Sequence, residues 1–193
     1  VEYLMNDEEM EQSFRLKLND AGADISELKA GIRFSTSDIG ASKVYASVFY
    51  DADGVRTTCN SGIALEHKGE ASPQSYAESC KQLGMVFKES EELIEKLGNM
   101  NISDVAGVVQ EIRENYSIFP KGISEKVEAE LRIQYPGGGT AIDVYLALND
   151  IIQRYSEENK ISPTRYLNLS EQVAKLMHLP FERIDQGEEW KKI

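Results

Sequence analysis

At Ser72 the spacing of the apolar residues changes, and that change commits the chain to a fold with separate strand and helix segments. Upstream, between residues 12 and 65, apolar and polar residues alternate with period two, the mark of strands with one buried face. The alternation predicts strands over Gln12 to Leu18, Gly31 to Thr36, Lys43 to Tyr50, and Gly54 to Cys59 running on toward Leu65. Asn19-Asp20-Ala21-Gly22, Ser37-Asp38-Ile39-Gly40 and Asp51-Ala52-Asp53-Gly54 separate them. Asn, Asp and Gly tolerate positive φ and bond to their own turn, so these are turn sequences. Connections this short predict an antiparallel meander.

Downstream the period becomes 3.6. Ser72-Pro73 is a cap followed by proline at the first helical position, and Ala77, Cys80, Leu83, Phe87, Ile94 and Leu97 form an apolar stripe that Gly98 ends. A second helix is predicted after Ser103, with Val105, Val108, Val109 and Ile112 inward. A third follows Ser124 and stops before Pro136. Thr140 caps a fourth, with Asp143 in the place of the capping-box acid and Ile142, Leu148, Ile151, Ile152 and Tyr155 on its buried side. Ser162-Pro163 opens a fifth, which ends near Leu179-Pro180. The expected fold is α+β: an antiparallel sheet of about four strands, covered on one face by the long helix and followed by several helices. The run Gly137-Gly138-Gly139 marks the expected boundary between a sheet-plus-helix core, residues 1–136, and a helical C-terminal part, residues 137–193, packed on it.

Catalytic signatures are missing from this pattern. His67 and His178 are the two histidines, and neither has Cys, His or carboxylate neighbours at metal-ligand spacing, so no metal and no cofactor are expected. Cys59 lacks a nearby base, and Cys80 sits on an apolar stripe as a small hydrophobe. Without a nucleophile elbow or dinucleotide fingerprint, a non-enzymatic protein is expected, with no catalytic residue assigned. The glycine run precedes a helix start whose amides suit an anion, yet it lacks the Lys-Ser/Thr ending of a P-loop. It reads as a flexible connector in which single Ala substitutions change stability by about 1 kcal/mol or less.

Charge separates partner classes. With 21 Lys and Arg against 33 Asp and Glu, the formal charge is −12, which works against attraction to DNA or anionic lipid by the molecule as a whole. No apolar run approaches the roughly 20 residues of a membrane span, and two cysteines in a chain this long fit a reducing compartment. Val1 in place of an initiator Met implies a processed product or part of a longer chain. Within the predicted strands, however, the bases segregate. If Phe14, Leu16, Leu18, Ile32, Phe34, Val44, Ala46, Val48 and Val55 face the core, alternation sends Arg15, Lys17, Arg33, Lys43, Tyr45, Phe49 and Arg56 to the other face. A basic face with aromatic rings has the parts to track a phosphate backbone and stack bases of single-stranded nucleic acid. The same pattern also describes a solvated antiparallel face whose Lys and Arg discourage edge pairing.

Three short segments carry a resemblance. Phe34-Ser35-Thr36-Ser37-Asp38-Ile39-Gly40-Ala41 and, farther on, Cys59-Asn60-Ser61-Gly62 are followed by Thr140-Ala141-Ile142-Asp143-Val144-Tyr145-Leu146-Ala147-Leu148. Together they resemble a family of phage- and plasmid-borne proteins with a Ser-Asp/Glu-x-Gly turn, a Cys-x-Asn-Gly-like segment and a C-terminal helix reading Thr-x-x-Asp-x-Tyr-x-Ala. Ser61 departs from the pattern by separating Asn60 from Gly62. The family has no agreed activity, so the resemblance implies a mobile-element setting in the cytoplasm of a bacterial host. Ser37, Asp38 and Gly40, like Cys59, Asn60 and Gly62, are turn residues whose chemistry sets shape.

Element order also matches, by analogy, the core of phage single-strand-annealing proteins. The leading expectation is therefore single-strand binding or annealing by a homo-oligomer that works away from membranes. The alternative is a counter-defence or regulatory protein that binds a host protein through its acidic surface.

Overall fold

The computed structural model describes residues 2–4, 7–20, 22–36, 43–59, 63–66 and 73–192. Its fold is α+β. Five strands form one antiparallel sheet: β1 (Glu2–Leu4), β2 (Leu28–Thr36), β3 (Lys43–Ala52), β4 (Val55–Thr58) and β5 (Ile63–Glu66). The spatial order is β1-β2-β3, and the far side of β3 is shared by two short strands. β4 takes its C-terminal half, from Phe49 opposite Thr58 to Ala52 opposite Val55, and β5 its start, from Lys43 opposite Glu66 to Ala46 opposite Ile63. The single run expected from Gly54 toward Leu65 is thus two strands.

Residues 12–18 correct the strand expectation. They lie inside helix α1 (Glu8–Asp20), where Phe14 and Leu18, four residues apart, share one buried face and Leu16 is 51% exposed. Asp7 starts the helix by accepting the Met10 amide at 3.1 Å, and Glu8, Glu9 and Glu11 place negative charge in the first turn, where the helix dipole favours it. At its other end the Asn19 side chain bonds both the amide and the carbonyl of Ile25, which turns the chain back toward β2.

Helix α2 (Pro73–Gly98) buries Phe87, Ile94 and Leu97 of the predicted stripe and, with α1, covers one sheet face. The Tyr50 ring on that face lies 4.6 Å from Phe14 and 6.2 Å from Phe87. Next come α3 (Val105–Asn115), α4 (Lys121–Gln134), α5 (Ala141–Asn159), α6 (Pro163–Lys175), a short 3-10 turn (Leu176–His178) and α7 (Phe181–Asp185). Caps set their starts: the Asp104 carboxylate accepts the Gly107 amide, and Ser162 accepts the Arg165 amide ahead of Pro163. Helix α4 begins earlier than expected, at Lys121, because Ser124 is no cap: its hydroxyl donates back to the Pro120 carbonyl inside the first turn.

The second sheet face is covered too. Helix α6 lies over it, and Arg33, on the side expected to be solvated, is 5% exposed while Phe49 is fully buried. Apolar residues from both sides of Gly137, from Phe14 to Ile184, join one core cluster. Among the described residues no helix is long and apolar enough to cross a membrane.

Candidate functional site

The residues expected to form a basic face divide between two places. Arg15 and Lys17 stand on α1, where Arg15 donates to the Ser26 carbonyl and Lys17 pairs with Glu91 of α2 at 3.4 Å. Arg33, Phe49 and Arg56 do meet, as a closed stack. The Arg33 guanidinium sits 5.4 Å from the centre of the Phe49 ring and 5.7 Å from that of Tyr166 on α6, and the Arg56 guanidinium lies 5.6 Å from the centre of Phe49. Arg33 also donates to the Thr58 hydroxyl, and Arg56 approaches Asp51 at 3.8 Å. Cations alternate with rings here, which holds α6 on the sheet. Lys43 and Tyr45 take their register in β3 opposite Glu66 and Ala64, with side chains outside the described residues. Ser37, Asp38, Gly40, Asn60, Gly62 and His67 lie outside the described residues. Cys59 is buried at the end of β4, and burial pushes its thiol pKa far up, away from reactivity.

The glycine run is not a flexible connector. A short antiparallel pairing joins β6 (Asn101–Ile102) to β7 (Gly139–Thr140), and the run enters it tightly. Gly138 has φ +90°, and a Cβ there would lie 2.5 Å from the Ile102 carbonyl oxygen. A Cβ on Gly139 would lie 2.6 Å from Asp143 Oδ2, whereas Gly137 faces open space. The amides an anion would need are taken: Gly138 donates to Tyr135 O, Thr140 to Asp143 Oδ2 at 2.7 Å, and Ala141 to Met100 O. The expected Thr140–Asp143 capping box is present.

Local chemistry instead builds a cleft. Asp53 and Gly54 both have positive φ, at 49° and 88°, and form the tight turn between β3 and β4. The Asp53 carboxylate then accepts the amides of Ser26 and Glu27 at 2.9 and 2.7 Å, which fastens the loop at 23–27 beside the turn. From α5, Gln153 accepts the Arg56 amide at 2.9 Å and donates to the Gly54 carbonyl at 2.8 Å. Between this hairpin, the loop and helices α4 and α5 lies a cleft of about 210 Å³. Ile25, Val55, Val127, Leu131, Leu146 and Ala147 contribute apolar walls, and Asp24, Asp53, Glu130, Asp143 and Asp150 contribute carboxylates.

Arg154 is the single cation in that lining among the described residues. Its guanidinium makes two bonds to Glu130, at 3.0 and 2.8 Å, and a third to Asp150 at 3.0 Å. These bonds, Glu130 first, raise the Arg154 pKa above its already high ordinary value, and the same contact lowers that of Glu130. Tyr135 donates its hydroxyl to Asp143 at 2.9 Å, and burial, followed by the Asp143 and Asp24 charges, raises its pKa. Among the described residues the lining holds no Ser, Thr, Cys or His. Among the described residues no group of three or more His, Cys, Asp or Glu is placed to hold a metal ion.

Comparison with protein-family models, with curated proteins and with solved structures returns no match. The resemblance to phage- and plasmid-borne proteins rests on its motifs alone.

Proposed function

We propose that this chain is a non-enzymatic interaction module that docks a basic surface of another protein. The observation that carries this reading is the closure of the second sheet face by α6, with Arg33 and Phe49 buried beneath it. Single-strand binding requires rings that a base can reach, and the buried Phe49 is out of such reach. Several bases are engaged inside the fold: Arg113 holds Glu128, Arg154 holds Glu130, and Arg183 holds Glu188. Meanwhile Glu8, Glu9, Asp20, Asp24 and Glu182 are exposed and make no ion pair among the described residues. A formal charge of −12 displayed this way steers cationic partners in and repels phosphate chains. In the mobile-element setting that the motifs imply, such a module acts as a counter-defence or regulatory protein on a host protein in the bacterial cytoplasm.

Fluorescence anisotropy decides between a basic protein partner and a nucleic acid. At about 0.15 M salt, a labelled peptide of alternating Arg and Ala binds, its affinity falls as salt rises, and labelled oligothymidine does not bind. Binding of oligothymidine with a silent peptide overturns the reading. Light scattering gives the same species with and without oligonucleotide, since a docking module has no need of the rings or filaments that annealing demands.

A further inference from the structure

The cleft between the β3–β4 hairpin, the 23–27 loop and helices α4 and α5 is more selective than a negative surface. We infer that it takes one cationic side chain, a Lys or Arg, presented by the basic partner proposed above, and the inference rests on that reading.

Shape and chemistry agree on this occupant. The apolar walls accept the aliphatic stem of a long basic side chain while its head group meets carboxylates. A purely apolar occupant would desolvate those carboxylates without compensation, and an anion would be repelled by them. The cleft also already grips such a head group from its own chain. Arg154 is held by the two-bond fork of Glu130 and by Asp150, so the α4–α5 end is filled.

The other carboxylates of the lining hold no such head group. Asp143 has its oxygens on Thr140 and Tyr135, and Asp53 has its on the Ser26 and Glu27 amides. Among the described residues neither pairs with a cation. Asp24 stands at the rim, exposed, with neither a hydrogen bond nor an ion pair among the described residues, and its field reaches Tyr135. Besides the pair that holds Arg154, the apolar-walled cleft is thus lined by three further carboxylates, those of Asp24, Asp53 and Asp143.

Amide chemical shifts in a titration with N-acetyl-arginine methylamide test the inference. Saturable shifts are expected at Asp24, Asp53, Val55, Leu146 and Ala147, with none from the neutral citrulline analogue. Asp24→Asn weakens binding about threefold, as expected for one exposed charge contact, and Val55→Phe, which fills the cleft, abolishes it. Shifts scattered over the acidic surface without saturation overturn the inference, as does equal binding of the citrulline analogue. Spermidine binding the same amides more tightly than the blocked arginine overturns it in favour of a free polyamine. If Val55→Phe does not fold, Asp24→Asn decides alone, because that side chain supports nothing else. Failure of the parent reading looks different: the Arg-Ala peptide then binds neither parent nor variants. If the peptide binds parent, Asp24→Asn and Val55→Phe alike, only the cleft assignment falls.

Discussion

Gln153 lies against Gly54 as a neighbouring strand would. Its side-chain amide donates to the Gly54 carbonyl at 2.8 Å and accepts the amide of Arg56 at 2.9 Å, so one side chain supplies both halves of a ladder contact. The consequence is that α5 is bonded to the backbone of the hairpin forming one wall of the cleft.

Removing that amide leaves two backbone groups in search of water. Gln153→Ala is expected to cost about 1 kcal/mol, the usual net value for bonds at a partly exposed site. Urea denaturation reads the cost. Hydrogen exchange reads its place: the Arg56 amide exchanges faster while the Tyr50 amide in β3 does not. A uniform acceleration across the sheet would show that Gln153 supports the whole fold and not this hairpin.

The three adjacent glycines are expected to differ. Gly138→Ala forces a side chain into φ +90° and against the Ile102 carbonyl, and destabilises by about 2 kcal/mol or more. Gly139→Ala presses on Asp143 and loosens the capping box. Gly137→Ala meets nothing and stays within about 0.5 kcal/mol of the parent. Thermal melts rank the three, and equal small shifts would restore the flexible connector.

What was legible in the sequence was local. Pro73 after Ser72, Asp143 three residues beyond Thr140, and Pro163 after Ser162 announce helix starts through groups within one turn, and the helices begin there. Phe14 and Leu18 are ambiguous, since a spacing of four satisfies both a strand face and a helix face. Leu16, apolar by sequence but exposed, tipped the reading to a strand, while Asp7 and the acids after it held the correct signal. The cover over Arg33 was out of reach, because Tyr166 arrives from α6 through tertiary packing that no local period encodes. The cleft was half visible. Asp53-Gly54 reads as a turn, but the union of Glu130 with Arg154 across two helices does not.

Asp185 gives the fold a dependence on acid. Burial alone would raise its pKa, but the backbone amides of Ser103 and Asp104, with the Ser103 hydroxyl, hold it below the ordinary value. A carboxyl depressed in the folded state contributes stability that is complete above its unfolded pKa of about 3.9 and is lost as pH falls through the folded value. Asp185→Asn is therefore less stable than the parent above about pH 5, and the two converge in stronger acid. Trp190, the one tryptophan, stacks 6.2 Å from Tyr116, so its fluorescence follows the chain beyond α7. A gap between parent and variant that persists at low pH would assign the effect to packing and not to charge.

The alternation of Arg33 with rings makes the last prediction. A guanidinium between Phe49 and Tyr166 is desolvated, and cation–π contacts of that kind reach about 2 kcal/mol. Arg33→Ala removes those contacts and leaves a cavity between the sheet and α6, for an expected loss of about 2 to 4 kcal/mol. Arg15→Glu and Lys17→Glu change partly exposed contacts to Ser26 and Glu91, and each should cost no more than about 1 kcal/mol. The order matters more than the sizes. Had the three bases shared one solvated face, all three substitutions would be mild in denaturation and additive in oligonucleotide binding. The buried stack requires the opposite: Arg33 changes stability, the other two do not, and the parent's response to oligothymidine is as flat as that of every variant.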